Sequence, residues 1–293
     1  MKNILVLGAN GMLGLGVLKA LEGFSGSIYA TARGGKIVPG FQNVSFLDFD
    51  ANKGQVDSVL SVLKPGDFVI NCIGVIKPHI KDDNPDQRDN ALRINSLFPD
   101  LLSRIAEAKS LKVIQIATDC VFSGAKGNYS EKDPFDALDV YGKTKSLGEV
   151  PRASMMHLRV SIIGPEQNRS TSLFEWVRNQ PTEAEISGFT DHEWNGVTTF
   201  HFGKLVRGIV ENSLFQPGTF HIVPGSKLSK DKLVEAIAIR AGREDIRIVP
   251  RPSGILVDRT LSTKFPDVNL KIWQSAGYSS PLSVEQMIKE MPL

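Results

Sequence analysis

The chain has 293 residues, 41% of them hydrophobic and 23% charged, with a formal net charge of +2. That length and balance suit one large globular domain or two modest ones whose core needs no staples. The near-neutral charge, the lack of any lysine- or arginine-rich run and the lack of an apolar stretch of about 18 residues argue against a nucleic-acid footprint and a membrane span.

Cys72 and Cys120 are far apart and belong to no C-x-x-C pattern, which fits a reducing compartment better than a disulfide framework. The apolar run near the start is too short for the core of a signal peptide, so the expectation is a soluble, cytoplasmic protein.

In chain order, NILVLG (3–8), SIYATAR (27–33), VSFLDFD (44–50), DFVINCIG (67–74) and KVIQIATD (112–119) read as buried strands. Each is short, rich in β-branched residues and ends in polar residues or glycine. Helical spacing runs over 12–22, 53–63, 88–108 and 141–150, and MMHLRVSIIG (155–164) reads as a sixth strand. This alternation predicts an α/β fold, a doubly wound parallel sheet of the Rossmann type. Beyond about residue 165 the rhythm breaks. Polar stretches interrupt helices over 172–179 and 200–213, GTFHIVPG reads as a strand, and a helix over 229–241 opens on Ser229 as its cap. The expected division is a dinucleotide-binding domain over 1–164 and, over 165–293, mainly a smaller substrate-binding lobe, with some interleaving.

GANGMLG sets Gly8, Gly11 and Gly14 at the first strand-to-helix junction. Glycines there permit a tight turn and close approach of backbone to a pyrophosphate, which the helix N-terminus attracts. The spacing is G-x-x-G-x-x-G, not G-x-G-x-x-G. The end of the second strand lacks the carboxylate expected to hold the ribose of NAD; Arg33 stands there, with Lys36 nearby. An arginine in that place can pair with a 2′-phosphate, which favours NADPH and leaves NADH possible. Asp48 closes the third strand, either to accept from an adenine amino group or to form a turn.

In DVYGKTKSLGE, Tyr141 and Lys145 are four residues apart and so share one helix face. An ammonium beside a phenol lowers the phenol's pKa, a route to proton transfer in carbinol–carbonyl chemistry. The ordinary reading of such a pair is an exposed helical face, so the rest of the chain must decide. Thr118 ends the fifth strand, at the edge of the sheet where ligands of open parallel sheets bind.

GANGMLG, ATDCVFSG, GNYSEKDPFD, VYGKTKSLGE and NGVTTFHFGKLV together resemble the extended short-chain dehydrogenase/reductases, and within them the dTDP-4-dehydrorhamnose reductase family of sugar-nucleotide 4-ketoreductases. The resemblance spans nearly the whole chain. It implies Thr118, Tyr141 and Lys145 as the catalytic set, with Asn95 matching the family's helix asparagine. It implies a cofactor site at Gly8, Asn10, Gly11, Met12, Leu13, Gly14, Arg33, Asp48, Phe49, Cys72, Ile73 and Gly74, shared with Tyr141 and Lys145. A hydride would pass to C4 of a 4-keto-6-deoxyhexose carried on a nucleoside diphosphate, in sugar-nucleotide biosynthesis for surface polysaccharide. Tyr141 would supply the proton, Thr118 would bond the same oxygen, and Lys145 would hold the nicotinamide ribose.

The sequence departs from the family at Cys120, where an aromatic residue is common, and at EWNGVTT and NCIGVIKPH, which leaves the sugar open. Thr118, Asp119, Phe122 and Tyr141 are the candidates to face the substrate from the first half. From the second, Trp194 can stack on a base or sugar or serve the core, and Arg251 and Arg259 are either diphosphate clamps or solvated arginines. Arg159 reads as structural. His192, His201 and His221 lack metal-ligand spacing, so no metal is expected. Two other readings stay open: an epimerase of the same superfamily and a non-catalytic nucleotide-binding subunit. A dehydratase would need an acid–base pair where Asp119 is followed by Cys120. A homodimer is possible.

Overall fold

In the computed structural model, which describes residues 2–35, 38–53, 55–167 and 171–293, ILVL forms strand β1 (Ile4–Leu7), buried at every position. Side chains alternate across a strand, so β1 feeds two cores: Ile4 and Val6 join one apolar cluster, Leu5 and Leu7 the other. Burial on both faces is why such strands read as continuous apolar runs. The same holds for β4 (Phe68–Asn71) and β5 (Lys112–Ala117); β2 (Ile28–Ala32), β3 (Val44–Asp48) and β6 (Met155–Arg159) complete the first half of the sheet. A seventh strand, described below as β11, adds beside β6. The sheet order is β3-β2-β1-β4-β5-β6-β11, and every pairing is parallel.

The helices of this half are α1 (Met12–Ala20), α2 (Val56–Leu60), α3 (Pro85–Leu92), α4 (Phe98–Ala108) and α5 (Val140–Leu147). The single helix expected over 88–108 is two helices joined by a π-turn, Arg93–Leu97. Pro99 has no N–H to give the Asn95 carbonyl four residues back, and the widened turn falls there. The sixth strand ends at Arg159, short of the expected 164, and a separate two-residue strand, β7 (Ile162–Ile163), follows.

The later half carries α6 (Leu173–Arg178), β8 (Glu185–Phe189), β9 (His192–Trp194), β10 (Val197–Thr198), α7 (Thr199–Glu211), β11 (Gly218–His221), β12 (Leu228–Ser229), α8 (Lys230–Arg240), β13 (Arg247–Arg251), β14 (Val257–Asp258), α9 (Pro266–Ser275) and α10 (Val284–Glu290). The short strands pair across long sequence gaps: β8 with β13, β9 with β12 and β14, and β7 with β10. Ser229 is the N-cap of α8 as expected, although its hydroxyl makes no capping bond. Helix α7 crosses α1 at glycine contacts. A Cβ on Gly16 would lie 2.6 Å from Thr199 Cβ, and one on Gly203 would lie 2.7 Å from Ala20 Cβ. The crossing fixes α7, and with it the later half, against the helix that follows the glycine loop. Among the described residues no helix is long and apolar enough to cross a membrane.

Candidate functional site

The sheet order reverses direction between β1 and β4, and the loops after those two strands meet there. Gly8 has φ +82°, a conformation open to glycine, and a Cβ on it would stand 2.9 Å from Ile73 Cγ1. A Cβ on Gly14 would strike the Gly8 carbonyl, so that glycine lets α1 start close against the loop. Gly11 is the N-cap of α1, with no side chain to cap it and no acidic residue in the first turn. The first-turn N–H groups therefore face a smooth, uncharged approach, which fits a pyrophosphate. Cys72 donates its N–H to the Leu7 carbonyl at 3.0 Å, and burial pushes its thiol up to about 12. Gly74 leaves room beside Asn95, whose Oδ1 would be 3.5 Å from a Cβ there.

At the end of β2, Arg33 is exposed and opens a turn in which Gly34 and Gly35 both take positive φ. Asp48 Oδ1 accepts from the Gly34 N–H at 2.7 Å and so braces that turn. Lys36 lies outside the described residues. Asn10 and Gly11 are exposed on the loop, and Met12 is half-buried. The side chains of Leu13 and Phe49 are buried; Phe49 packs on Phe98 with ring centroids 5.9 Å apart, turned into the core beneath the site.

The catalytic candidates converge at the end of β5. Asp139 caps α5 by accepting from the Gly142 N–H at 2.7 Å, which fixes the turn carrying Tyr141. Gly142 lets that turn press against the Cys120 carbonyl. Thr118, only 7% exposed, accepts from the Cys120 N–H at 3.1 Å and donates to Asp119 Oδ1 at 3.2 Å. Lys145, also 7% exposed, donates to the Ile116 carbonyl at 3.1 Å. Burial brings its ammonium down to about 8, while the Glu149 carboxylate works in the opposite direction.

The phenol of Tyr141 departs from the expectation. Burial, with the Cys120 thiol adding to it, raises Tyr141 above the usual tyrosine value; the Thr118 hydrogen bond opposes this only in part. Lys145 is committed to a backbone carbonyl and does not lower the phenol. Tyr141 is thus held protonated, the state a proton donor needs. Asn95, 2% exposed, does not face the reacting groups. Its Oδ1 accepts from the Val75 N–H at 2.9 Å, and its Nδ2 donates to the Val75 carbonyl at 3.0 Å and to Thr144 Oγ1 at 3.2 Å. It ties the loop after β4 to α5.

A cavity of about 290 Å³ opens between this edge of the sheet and the later half. Of the sequence candidates, Met12, Asp119, Trp194 and Arg259 line it; Thr118, Tyr141 and Lys145 do not form its wall, although Asp119 and Cys120, next to Thr118, do. Trp194 donates its indole N–H to Ser161 Oγ at 2.9 Å, a bond between two residues of the cavity wall. Burial raises the Asp119 carboxyl, and the Arg259 guanidinium opposes that rise. Phe122 is fully buried, stacked on Tyr129 at 4.3 Å, and Arg251 is exposed at the end of β13; neither lines the cavity. Lys230, absent from the sequence candidates, does line it. In KLSKDKLVE it looks like any lysine of a solvated helix, and only its place directly after the Ser229 cap hinted at a special position. No group of three or more histidine, cysteine or acidic residues among the described ones could hold a metal ion.

A family model described as the RmlD substrate binding domain matches residues 1–291. The chain is 30% identical over 254 residues to the methionine adenosyltransferase 2 subunit beta of Xenopus tropicalis, covering 81% of this chain and 71% of that protein. It is 29% identical over 154 residues to a dTDP-4-dehydrorhamnose reductase of Aggregatibacter actinomycetemcomitans, covering 51% of this chain and 46% of that one. Among solved structures, a dTDP-4-dehydrorhamnose reductase of Bacillus anthracis in complex with NADP has a TM-score of 0.72 at 19% identity, with 99% of each chain covered. At that identity the likeness is one of fold.

Proposed function

Because the chain belongs to the RmlD substrate binding domain family and has the extended short-chain dehydrogenase/reductase fold, we propose that it reduces the C4 ketone of a 4-keto-6-deoxy sugar carried on a nucleoside diphosphate. The observation that carries this reading is the half-buried Tyr141 phenol placed beside Thr118 at the end of β5, next to a glycine loop that can receive a dinucleotide. The proposed cofactor is NADPH, favoured over NADH by Arg33 and by the missing carboxylate at the end of β2. When bound, it would supply the hydride.

The chain's own residues would do the rest. The N–H groups at the start of α1 bind the pyrophosphate, and Arg33 binds the 2′-phosphate. Lys145, protonated below about pH 8, holds the ribose hydroxyls next to the reacting carbon. Tyr141, kept protonated by burial, delivers its proton to the ketone oxygen as charge develops there. Thr118 bonds the same oxygen once it turns from Asp119 Oδ1. Asp119, Trp194 and Arg259 orient the sugar nucleotide, and the proposed setting is the cytoplasm.

The test follows NADPH absorbance with a panel of nucleoside-diphosphate 4-keto-6-deoxy sugars. Steady consumption with at least one of them supports the reading; binding of NADPH without consumption by any of them rules it out. The likeness to the methionine adenosyltransferase 2 subunit beta supports a second reading, a nucleotide-binding subunit that serves a partner enzyme. Under that reading the chain binds NADPH, consumes none, and changes the kinetics of a partner.

A further inference from the structure

Two cations line the cavity with donors that no described protein group accepts from. Lys230 opens α8 and makes no side-chain hydrogen bond or ion pair among the described residues; burial lowers its ammonium, and the Asp119 carboxylate works against that. Arg259 uses only its Nε, which donates to the Phe122 carbonyl at 2.9 Å and fixes the guanidinium plane. Its two terminal nitrogens make no hydrogen bond among the described residues. The two carboxylates of the wall are already served: Glu193 pairs with Lys227 at 3.6 Å, and Asp119 accepts from Thr118. Both cations line the same cavity as Asp119, which is next in the chain to the threonine that would bond the ketone. Both side chains are half-buried, so these donors face the cavity and its water and are free to meet an incoming anion.

We propose that Lys230 and Arg259 form a two-point clamp for an oxyanion group that the sugar nucleotide brings next to its reacting ring. The inference rests on the reading of this cavity as the substrate site. The fixed guanidinium donates from its two terminal nitrogens to oxygens of one group, and the lysine, at the start of α8, donates to an oxygen of the same group. That division makes Lys230 the specificity-determining member, since Arg259 is also needed to hold the Phe122 segment. The oxyanion has two chemical sources: the phosphate attached at C1 of the sugar, or a carboxylate carried by the sugar itself.

Equilibrium binding tests the clamp without turnover, so its failure is distinguishable from failure of the proposed reaction. Isothermal titration of the NADPH-bound protein would use UDP-glucose, dTDP-glucose and UDP-glucuronate as probes, with Lys230→Met and Lys230→Arg as variants. Lys230→Met is expected to weaken binding about 10- to 100-fold, and Lys230→Arg to restore most of it. Equal loss with all three probes identifies the phosphate; loss confined to UDP-glucuronate identifies the carboxylate. NADPH affinity and melting temperature of the variants should match the parent, which separates a lost contact from a lost fold. Wild-type affinity in Lys230→Met for every probe, or no binding of any of them by the wild-type protein, would overturn the proposal.

Discussion

Lys145 donates to the Ile116 carbonyl while burial brings it down to about 8, and under the proposed function this would couple cofactor binding to pH. The group is a cation below about 8 and neutral above it, so affinity for NADPH should fall as pH rises through that value. Fluorescence titration of NADPH between pH 6 and 10 checks this, and in Lys145→Met the affinity should be lower and the step near 8 gone. Tyr141→Phe should cut turnover about 10²- to 10⁴-fold and leave the NADPH dissociation constant unchanged, because the phenol acts on the ketone. At this scale the sequence was informative where spacing encodes geometry. Tyr141 and Lys145 do share a face, and Gly8 and Gly14 do occupy places that a side chain would fill. What spacing could not reveal was the environment. The rise of Tyr141, the turn of Asn95 toward Val75 and the cavity place of Lys230 all depend on residues distant in the chain.

Helix α1 presents Gly16 to α7, and α7 returns Gly203 to α1, so backbones approach where side chains usually intervene. A Cβ on Gly203 would lie 2.9 Å from the Gly16 carbonyl and 2.9 Å from Val17 Cα, and backbone cannot rotate away. Gly203→Val should therefore lower stability by about 1–3 kcal/mol, read as a lower melting temperature in thermal unfolding. Five of the six early strands were legible because they are largely buried apolar runs; β3, expected to be buried as well, lies at the edge of the sheet and is only partly covered. Helix α4 was legible because it is strongly one-sided. Of the later strands, GTFHIVPG was read as one and contains β11, and the others were not legible. They are two to five residues long and are defined by partners such as β13 for β8, which local periodicity does not record. Helix α10 was legible in principle: Ser283 and Gln286 form a capping box, a signal present in the sequence as S-x-x-Q.

A buried chain of charges ties the segment just after α5 to both halves of the molecule. Arg159 donates twice to Glu149, at 3.1 and 2.6 Å, and its Nη1 donates to His221 Nε2 at 2.6 Å. His221 Nδ1 in turn donates to the Ser262 carbonyl at 2.7 Å, and the His221 N–H is taken by Glu131 at 2.9 Å. Phe122 and Phe135 face the guanidinium at 5.3 and 5.1 Å. With Arg159 and Glu149 2% and 5% exposed at their side chains, Arg159→Met would strand a carboxylate and should cost about 3–5 kcal/mol in denaturant unfolding. His221 must stay neutral to accept from Arg159, and burial with that neighbouring cation pushes it down to about 4. Its folded value lies below its unfolded one, so the protein binds fewer protons folded than unfolded between about pH 6.5 and 4. Stability should be constant in this respect above about 6.5 and should fall as acid is added through that window, with a smaller fall in His221→Gln.

Under the proposed function, Tyr141, Thr118 and Lys145 meet at one ketone, which receives a hydride from the cofactor and a proton from Tyr141. The most direct test is to supply NADPH deuterated at the transferable C4 position with a nucleoside-diphosphate 4-keto-6-deoxy sugar, then locate the label by mass spectrometry and NMR. The account predicts one deuterium on C4 of the sugar for each NADPH oxidised. An unlabelled sugar, inverted or unchanged, with the deuterated cofactor still intact would contradict it.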